Sequence, residues 1–168
     1  MIEFGESKII RPISFNPAEF IGKGYSIWRG PVDGNGLEGD EEQDVRSLSL
    51  TEVDFTKVFF NNAINKNWDL ITGEEKLKRL KSSGCILIDF RFGAALYNES
   101  YQPTLNWLRI DRGITRFYFS GTTFRDRNGC RCMVFFDFFS LVHRWLLVDI
   151  KLDNSSWLFY GPSAVLAS

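Results

Sequence analysis

The sequence predicts an α+β fold, in which two or three helices pack on a C-terminal antiparallel β-meander that follows a Gly/Pro-rich N-terminal region. Three observations support this prediction. A capping box begins a helix at Thr72, the dipeptide Asn128-Gly129 is typical of a tight hairpin, and apolar residues alternate with others over 144–152. A chain of 168 residues is long enough to bury one core, so we expect a single domain over 1–168.

The N-terminal region gives the weakest local signals. One strand is predicted at Tyr25–Arg29, and an acidic loop follows it. A first helix is predicted from Thr51, which can act as its N-cap. Phe55, Val58 and Phe59 then recur at helical spacing, which is typical of an amphipathic helix.

A second helix is predicted where Thr72 and Glu75 form the capping box, with Gly84 as its stop signal. Only Leu77 and Leu80 are apolar in this segment, so we expect the helix to lie on the surface.

Two elements are predicted between this helix and the meander. Alternating apolar residues over 86–92 indicate a half-buried strand. A short third helix is predicted between Thr104 as its cap and Gly113 as its end.

The hairpin sets the expected faces of the sheet. A two-residue type I′ loop at Asn128-Gly129 would place Arg127 opposite Cys130 and Asp126 opposite Arg131. One face would then carry Phe119, Thr123, Cys132, Val134, Phe136 and Phe138. The other would carry Arg116, Tyr118, Phe124, Arg131, Met133, Phe135 and Phe139. A third strand over 144–152 would turn and return through 157–160.

Composition limits the class of protein. The chain is 44% hydrophobic and 24% charged, and its 16 Phe residues exceed what one core needs, so we expect aromatic side chains at the surface. Residues 1–75 hold 14 acids and 7 bases, whereas 76–168 hold 7 acids and 13 bases. The N-terminus does not resemble a signal peptide, and the three cysteines have no disulfide-framework spacing, so a cytoplasmic location is predicted.

No metal or cofactor site is predicted. The acidic stretch from Asp33 to Asp44 has Leu37 and Glu38 where a calcium loop needs a ligand and a glycine. Cys130 and Cys132 lack zinc-site spacing, so we expect buried thiols without metal.

Enzyme chemistry has little support in the sequence. The single histidine, His143, has no recognisable nucleophile context, so a structural role is expected. Asp137 and Asp149 lie within apolar strands and are the best candidates for a carboxylate pair, so a small hydrolase using both stays open as an alternative.

The basic C-terminal half therefore carries the functional prediction. Arginine interleaved with aromatic rings is typical of the energetic centre of protein interfaces. We expect a non-enzymatic binding protein with a protein partner, and a second copy of the same chain is one candidate for that partner. Single-stranded RNA is the alternative partner, because rings and arginines also stack on and neutralise nucleic acid. The predicted partner-binding residues are Arg116, Tyr118, Arg131, Phe135 and Trp145.

Overall fold

The computed structural model describes residues 8–29, 43–63, 70–153 and 161–168. Its helices are α1 (Pro17–Phe20), α2 (Val45–Leu48), α3 (Gly73–Ser82), α4 (Phe90–Asn98) and α5 (Pro103–Arg112), with a 3₁₀ helix at Phe55–Lys57. Its strands are β1 (Ile9–Ile10), β2 (Ser26–Ile27), β3 (Val53–Asp54), β4 (Phe59–Asn61), β5 (Ile86–Leu87), β6 (Arg116–Tyr118), β7 (Phe124–Arg125), β8 (Arg131–Phe139), β9 (Arg144–Lys151) and β10 (Ser163–Leu166).

The main sheet is built around the β8–β9 hairpin. Strand β9 pairs antiparallel with β8 from Arg144 opposite Phe139 to Lys151 opposite Cys132. The other side of β8 pairs with β7 and then β6, and β2 extends the sheet beyond β7. Strand β10 lies parallel to β6 and antiparallel to β4 and β5. The sheet is therefore mostly antiparallel, and β1 and β3 form a separate two-stranded ribbon.

Helices cover both faces of this sheet. Apolar residues of α4 and α5 pack with Val134 and Phe136 of β8 in one core. Leu77 and Leu80 of α3 pack with Met133 on the opposite face, in a second core. The coarse α+β prediction is confirmed, but the sheet extends well beyond a C-terminal meander, because β2, β4 and β5 also join it.

Two of the predicted helices form where their end signals lie. The backbone N–H of Glu75 donates to the Thr72 hydroxyl at 3.1 Å, which caps α3 as expected. Helix α5 ends at Gly113, whose φ of +66° is left-handed. Its start differs from the prediction, because Thr104 is not the cap and the helix begins at Pro103.

The helix predicted from Thr51 is wrong. Asp54 caps the 3₁₀ turn instead, since its carboxylate accepts from the N–H and the hydroxyl of Thr56 at 3.0 and 2.7 Å. The flanking residues pair as strands, β3 with β1 and β4 with β10. Tertiary strand pairing therefore overrides a helical spacing that local propensity only weakly supports.

The strand predicted over 86–92 is confirmed only at Ile86–Leu87. The Asp89 carboxylate accepts from the Arg91 N–H at 3.0 Å and so begins α4. Helix α4 is buried at Phe90, Phe92 and further positions around its axis. A helix enclosed by protein carries little polar periodicity, which is why its sequence resembles a strand.

The β7–β8 hairpin has three loop residues and not two. The Gly129 N–H donates to the Asp126 carbonyl at 3.0 Å, and the Asp126 N–H donates to the Cys130 carbonyl at 2.9 Å. Gly129 has a φ of +83°. This is a type I turn followed by a left-handed residue, the usual geometry of a three-residue hairpin loop.

The extra loop residue shifts the pairing by one position. Phe124 lies opposite Cys132, so its ring joins the apolar face that the sequence analysis had assigned to the other side. The expected Asp126–Arg131 pair does not form, and the Arg131 guanidinium binds Glu74 of α3 at 2.8 Å.

Two predicted features lie outside the described residues. They are most of the acidic loop that begins at Asp33 and the returning segment at 157–160. In the part of the chain that the structure describes, no helix has both the length and the apolar character needed to cross a membrane.

Candidate binding groove at the β8–β9 hairpin

Four of the five predicted partner-binding residues are buried within the chain. Tyr118, Arg131, Phe135 and Trp145 are 0, 5, 1 and 2% exposed. The side chain of Arg116 is 33% exposed. The expectation of an exposed face of rings and arginines is wrong, because helices cover the sheet on both sides.

Three of these residues, Arg116, Tyr118 and Phe135, do lie together, and the positive charge of Arg116 is balanced by a carboxylate of the chain itself. The rings of Tyr118 and Phe135 are 4.8 Å apart, and the Arg116 guanidinium lies 5.6 Å from the Phe135 ring. Arg116 binds both carboxylate oxygens of Asp137, at 3.1 and 2.9 Å. Since Asp137 neutralises the only partly exposed member, this cluster offers a partner little net charge.

Trp145 lies on the opposite face of the sheet from that cluster. The β8–β9 register places it opposite Phe138, and the two rings meet edge to face at 5.6 Å. Its second ring neighbour is Phe117, at 6.0 Å. The predicted site therefore divides into two, and the structure does not bring Trp145 to the other four residues.

The alternative carboxylate pair is also separated by the sheet. Asp137 lies on the face of Phe135, whereas Asp149 lies opposite Val134 on the other face. Asp149 accepts the Tyr25 hydroxyl at 3.0 Å. Burial, and then this hydrogen bond, raise the pKa of Tyr25 to about 12. Asp137 and Asp149 therefore cannot share a substrate, and the structure does not support the hydrolase alternative.

The cysteines behave only partly as expected. Cys132 is fully buried, and burial raises the pKa of its thiol well above the usual range. Cys130 is half-buried, so the expectation that both thiols are buried is wrong for this one. Among the described residues, no three His, Cys, Asp or Glu side chains come close enough to hold a metal ion.

A groove, which we call the hairpin groove, lies between the β8–β9 hairpin and the segment that joins α4 to α5. Its floor includes Trp145 and Phe138, whose partners are described above. Its lining residues are Tyr97, Glu99, Tyr101, Gln102, Asn106, Phe138, His143, Arg144 and Trp145.

Strained backbone is concentrated at this groove. Tyr101, Gln102 and His143 have φ angles of +62°, +48° and +50°, and together they are three of the four described non-glycine residues with positive φ. Each such residue costs about 1–3 kcal/mol and persists only where the surroundings hold it. Side-chain amides do so here, because Gln102 donates to the Tyr97 carbonyl and Asn106 to the Tyr101 carbonyl, each at 3.0 Å.

The one acidic side chain among the described residues of the groove already has hydrogen-bond partners. The Glu99 carboxylate accepts from the backbone N–H of Thr104 at 3.2 Å and from its hydroxyl at 3.1 Å. It thereby satisfies donors at the start of α5, where Gln102 supplies no side-chain cap. Glu99 therefore fixes the wall of the groove, and its charge is partly balanced by the helix N-terminus.

Trp145, which lines the same groove, carries a donor that has no acceptor among the described residues. The Nε1 atom of Trp145 is buried and finds no hydrogen-bond acceptor among the described residues. A buried N–H that has lost its hydrogen bond to water and gained no other acceptor destabilises the folded protein by about 1–3 kcal/mol. Such groups are uncommon in native proteins, so this one points to an acceptor outside the described residues.

An exposed apolar rim adjoins the groove at the hairpin turn, next in sequence to the lining residues His143 and Arg144. Around this turn Phe139, Leu141 and Val142 are 42, 81 and 50% exposed, and Tyr101, which lines the groove, is 96% exposed. Charge near the rim is basic. Arg144 is exposed beside the turn, and the Arg109 guanidinium lies 4.3 Å from the Phe138 ring.

Sequence reasoning identified Trp145 and missed the rest of the groove. Leu141 and Val142 occupy a turn, where polar residues are expected, and this is the one sequence signal that could have indicated the rim. The strain at Tyr101 and His143 has no such signal, because glycine and asparagine usually mark positive φ.

Comparison of the chain with protein-family models, with curated proteins and with solved structures gives no significant match. These comparisons therefore assign no function to the groove.

Proposed function

We propose that this chain is a non-enzymatic binding protein that holds an acidic polypeptide segment with large apolar side chains in the hairpin groove. The observation that carries the proposal is the coincidence at one place of strained backbone and an exposed apolar rim. Strain of this kind clusters at ligand clamps and active sites.

The rim supports a protein partner. Leu141 and Val142 expose aliphatic carbons to water at a turn. Polar residues would be more favourable at these positions in a chain without a partner, because exposed apolar patches usually mark interaction sites. Tyr101 adds a further apolar surface, because its ring is almost fully exposed to solvent. Apolar side chains of a partner, packed against these residues, would remove their surfaces from water and supply most of the binding free energy.

The charges support an acidic partner. Arg109 and Arg144 stand near the groove, while its acid, Glu99, is occupied by Thr104. A carboxylate close to Arg144 would gain a charge-assisted hydrogen bond, and complementary charge accelerates encounter.

Single-stranded RNA is the second candidate, favoured by the ring of Tyr101 beside Arg144. Stacking and phosphate neutralisation would use these two side chains. Binding of RNA through Tyr101 and Arg144 gives no role to the exposed side chains of Leu141 and Val142, so RNA is the second candidate. Its binding would weaken steeply with salt, whereas binding anchored by apolar side chains would depend on salt only mildly.

The test is selection of binding peptides from a displayed random library on the wild-type protein. We expect enriched peptides that combine acidic residues with large apolar ones. Their affinity should fall about tenfold or more in Leu141→Asp and in Arg144→Glu, which corresponds to about 1.4 kcal/mol or more for each anchor.

Arg127→Glu is the matched control, because Arg127 is exposed at the other hairpin and the charge change is the same as in Arg144→Glu. Peptide affinity should be unchanged in this variant. The proposal fails if no peptide is enriched, or if the enriched peptides bind both groove variants as well as they bind the wild type. Tight binding of single-stranded RNA with a steep salt dependence, lost in Tyr101→Ala, would favour the second candidate instead.

A further inference from the structure

The hairpin groove contains the single histidine of the chain. His143 lies at the β8–β9 turn, where its side chain is exposed and lines the groove. Its backbone is held in the left-handed region with a φ of +50°, and its N–H donates to the Ser140 carbonyl at 3.3 Å. A segment bound in the groove would therefore lie beside an imidazole that starts from a fixed backbone position.

The charged and titratable groups around His143 come from every element that forms the groove. They are Tyr97 of α4, Glu99 and Tyr101 of the segment before α5, Arg109 of α5, and Arg144 of the hairpin. Histidine is the side-chain type that ordinarily changes its charge between about pH 5 and 8, whereas tyrosine, glutamate and arginine ordinarily do not. A change in the charge of this groove near neutral pH is therefore expected from His143.

A protonated His143 would add to the positive charge of the groove. Arg144 is its neighbour in sequence and lines the same groove, while the Glu99 carboxylate already accepts two hydrogen bonds from Thr104. A carboxylate of a bound segment, placed beside His143 and Arg144, would gain a charge-assisted contact with both. Binding of an acidic segment and protonation of the imidazole then favour each other, because each strengthens the other by the same factor.

We propose that protonation of His143 strengthens binding in the hairpin groove, so that an acidic segment is held tightly below about pH 6.5 and released as the pH rises. This regulation rests on the binding function proposed above. Its sign follows from proton counting, because the complex binds more protons than its separate components do near this pH. Affinity must then fall as pH increases. A basic segment would show the opposite dependence.

The test compares affinities at about pH 5.5 and 7.5 for one acidic, histidine-free peptide selected on the wild type. Wild type should bind about threefold more tightly at the lower pH, which is the size of an exposed charge pair. The carboxylates of the peptide ordinarily titrate near pH 4 and stay ionised over this range.

Two substitutions at His143 should remove this pH dependence in different ways. His143→Asn has no titrating group, and asparagine tolerates a positive φ. His143→Lys keeps a positive charge at both pH values. The affinity ratio between the two pH values should approach one in both variants. At about pH 7.5 the lysine variant should bind the peptide more tightly than the asparagine variant does.

The matched control moves the histidine away from the groove. Arg127→His, added to the asparagine variant, places a histidine at an exposed position of the β7–β8 hairpin, and it should not restore the pH dependence. Burial lowers the pKa of Lys76 to about 7, but this side chain lies by Tyr118, on the opposite face of the sheet from Trp145. Lys76 is present in every variant, so its titration contributes equally to all of them.

Proton uptake gives a second readout, which a purely structural role of His143 would not produce. Calorimetry near pH 6.5, in two buffers that differ in ionisation enthalpy, counts the protons taken up when the peptide binds. Wild type should take up a fraction of one proton per complex, and both His143 variants should take up close to none.

Three results would overturn the proposal: equal wild-type affinities at both pH values, an asparagine variant that keeps the wild-type ratio, or equal proton uptake in wild type and this variant. Each of them leaves the binding function standing if Leu141→Asp still weakens the peptide. If no peptide binds at either pH, the binding function fails, and the regulation that rests on it fails as well.

Discussion

Lys76 is a charged side chain in the interior, and its titration should be visible in the stability of the protein. Lys76 lies on the buried side of α3 and is 0% exposed. The Nζ atom donates to the Gly161 carbonyl at 2.5 Å and lies 4.9 Å from the centroid of the Tyr118 ring. Burial disfavours the charged form and lowers the pKa of Lys76 from 10.5 to about 7.

The direction of the effect follows from proton counting. Above about pH 7 the folded lysine loses its proton, whereas the unfolded chain keeps it until about pH 10. The unfolded state then binds more protons, so this group makes the free energy of unfolding rise with pH. Between about pH 7 and 8.5 the gain should be roughly 2 kcal/mol, and below pH 7 it is absent because both states are charged.

The perturbation is Lys76→Met, which keeps a long unbranched side chain and removes the charge. Urea unfolding from about pH 6 to 8.5 should show a stability difference between wild type and variant that shifts toward the wild type by roughly 2 kcal/mol as pH rises. Tyr25, Tyr118 and Cys132 are common to both proteins, so their titration cancels in the difference. Lys78→Met, at an exposed position on the same helix, should give a constant difference.

A constant difference for Lys76→Met across this range would refute the reasoning. It would mean that Lys76 has the same proton affinity in the folded and unfolded states. The variant must unfold with an unchanged dependence on urea, since a changed slope would show that the folded or unfolded state itself had altered.

Three further predictions concern the core, and urea unfolding measures the first two. Trp145→Ala should cost about 3–5 kcal/mol of stability, because the ring is buried against other rings. Asp89→Asn should cost about 3 kcal/mol, since it leaves Arg91 without the carboxylate that it contacts at 2.8 Å, while an unchanged stability would contradict this role. Gly121→Ala should fail to fold to the native state, because a Cβ there would overlap the backbone of β5, and circular dichroism would show it. 

The fold could be predicted where a local signal and the tertiary environment agree. Thr72 and Gly113 set helix ends through their own hydrogen bonds or φ angle, so neighbours in sequence are enough to predict them. The segment at Phe55 failed because its spacing fits a helix while its pairing partner, β1, is distant in sequence. Strand pairing across such a separation leaves no local periodicity to detect.

The β7–β8 hairpin shows how a small error spreads. Asn128-Gly129 does mark the turn, but the Asp126 carboxylate accepts the Asn128 N–H at 2.8 Å and so favours the three-residue loop. One additional residue exchanges the faces of β7, and the expected partner of Arg131 changes from Asp126 to Glu74. The error is confined to β7, where Phe124 joins the face of Cys132, while Arg116 and Tyr118 of β6 remain on the face of Phe135 as predicted.

The candidate site depends on still longer-range features. Whether a ring is buried or accessible to a partner depends on which helix covers each face of the sheet, and α3 precedes β8 by some fifty residues. Alternation along β9 shows that Trp145 and Leu146 face opposite ways, but it does not show which face is covered. The hairpin groove is lined by three separate stretches of chain, at 97–106, at 138 and at 143–145. No single stretch of sequence could therefore indicate it, because only the folded chain brings these stretches together.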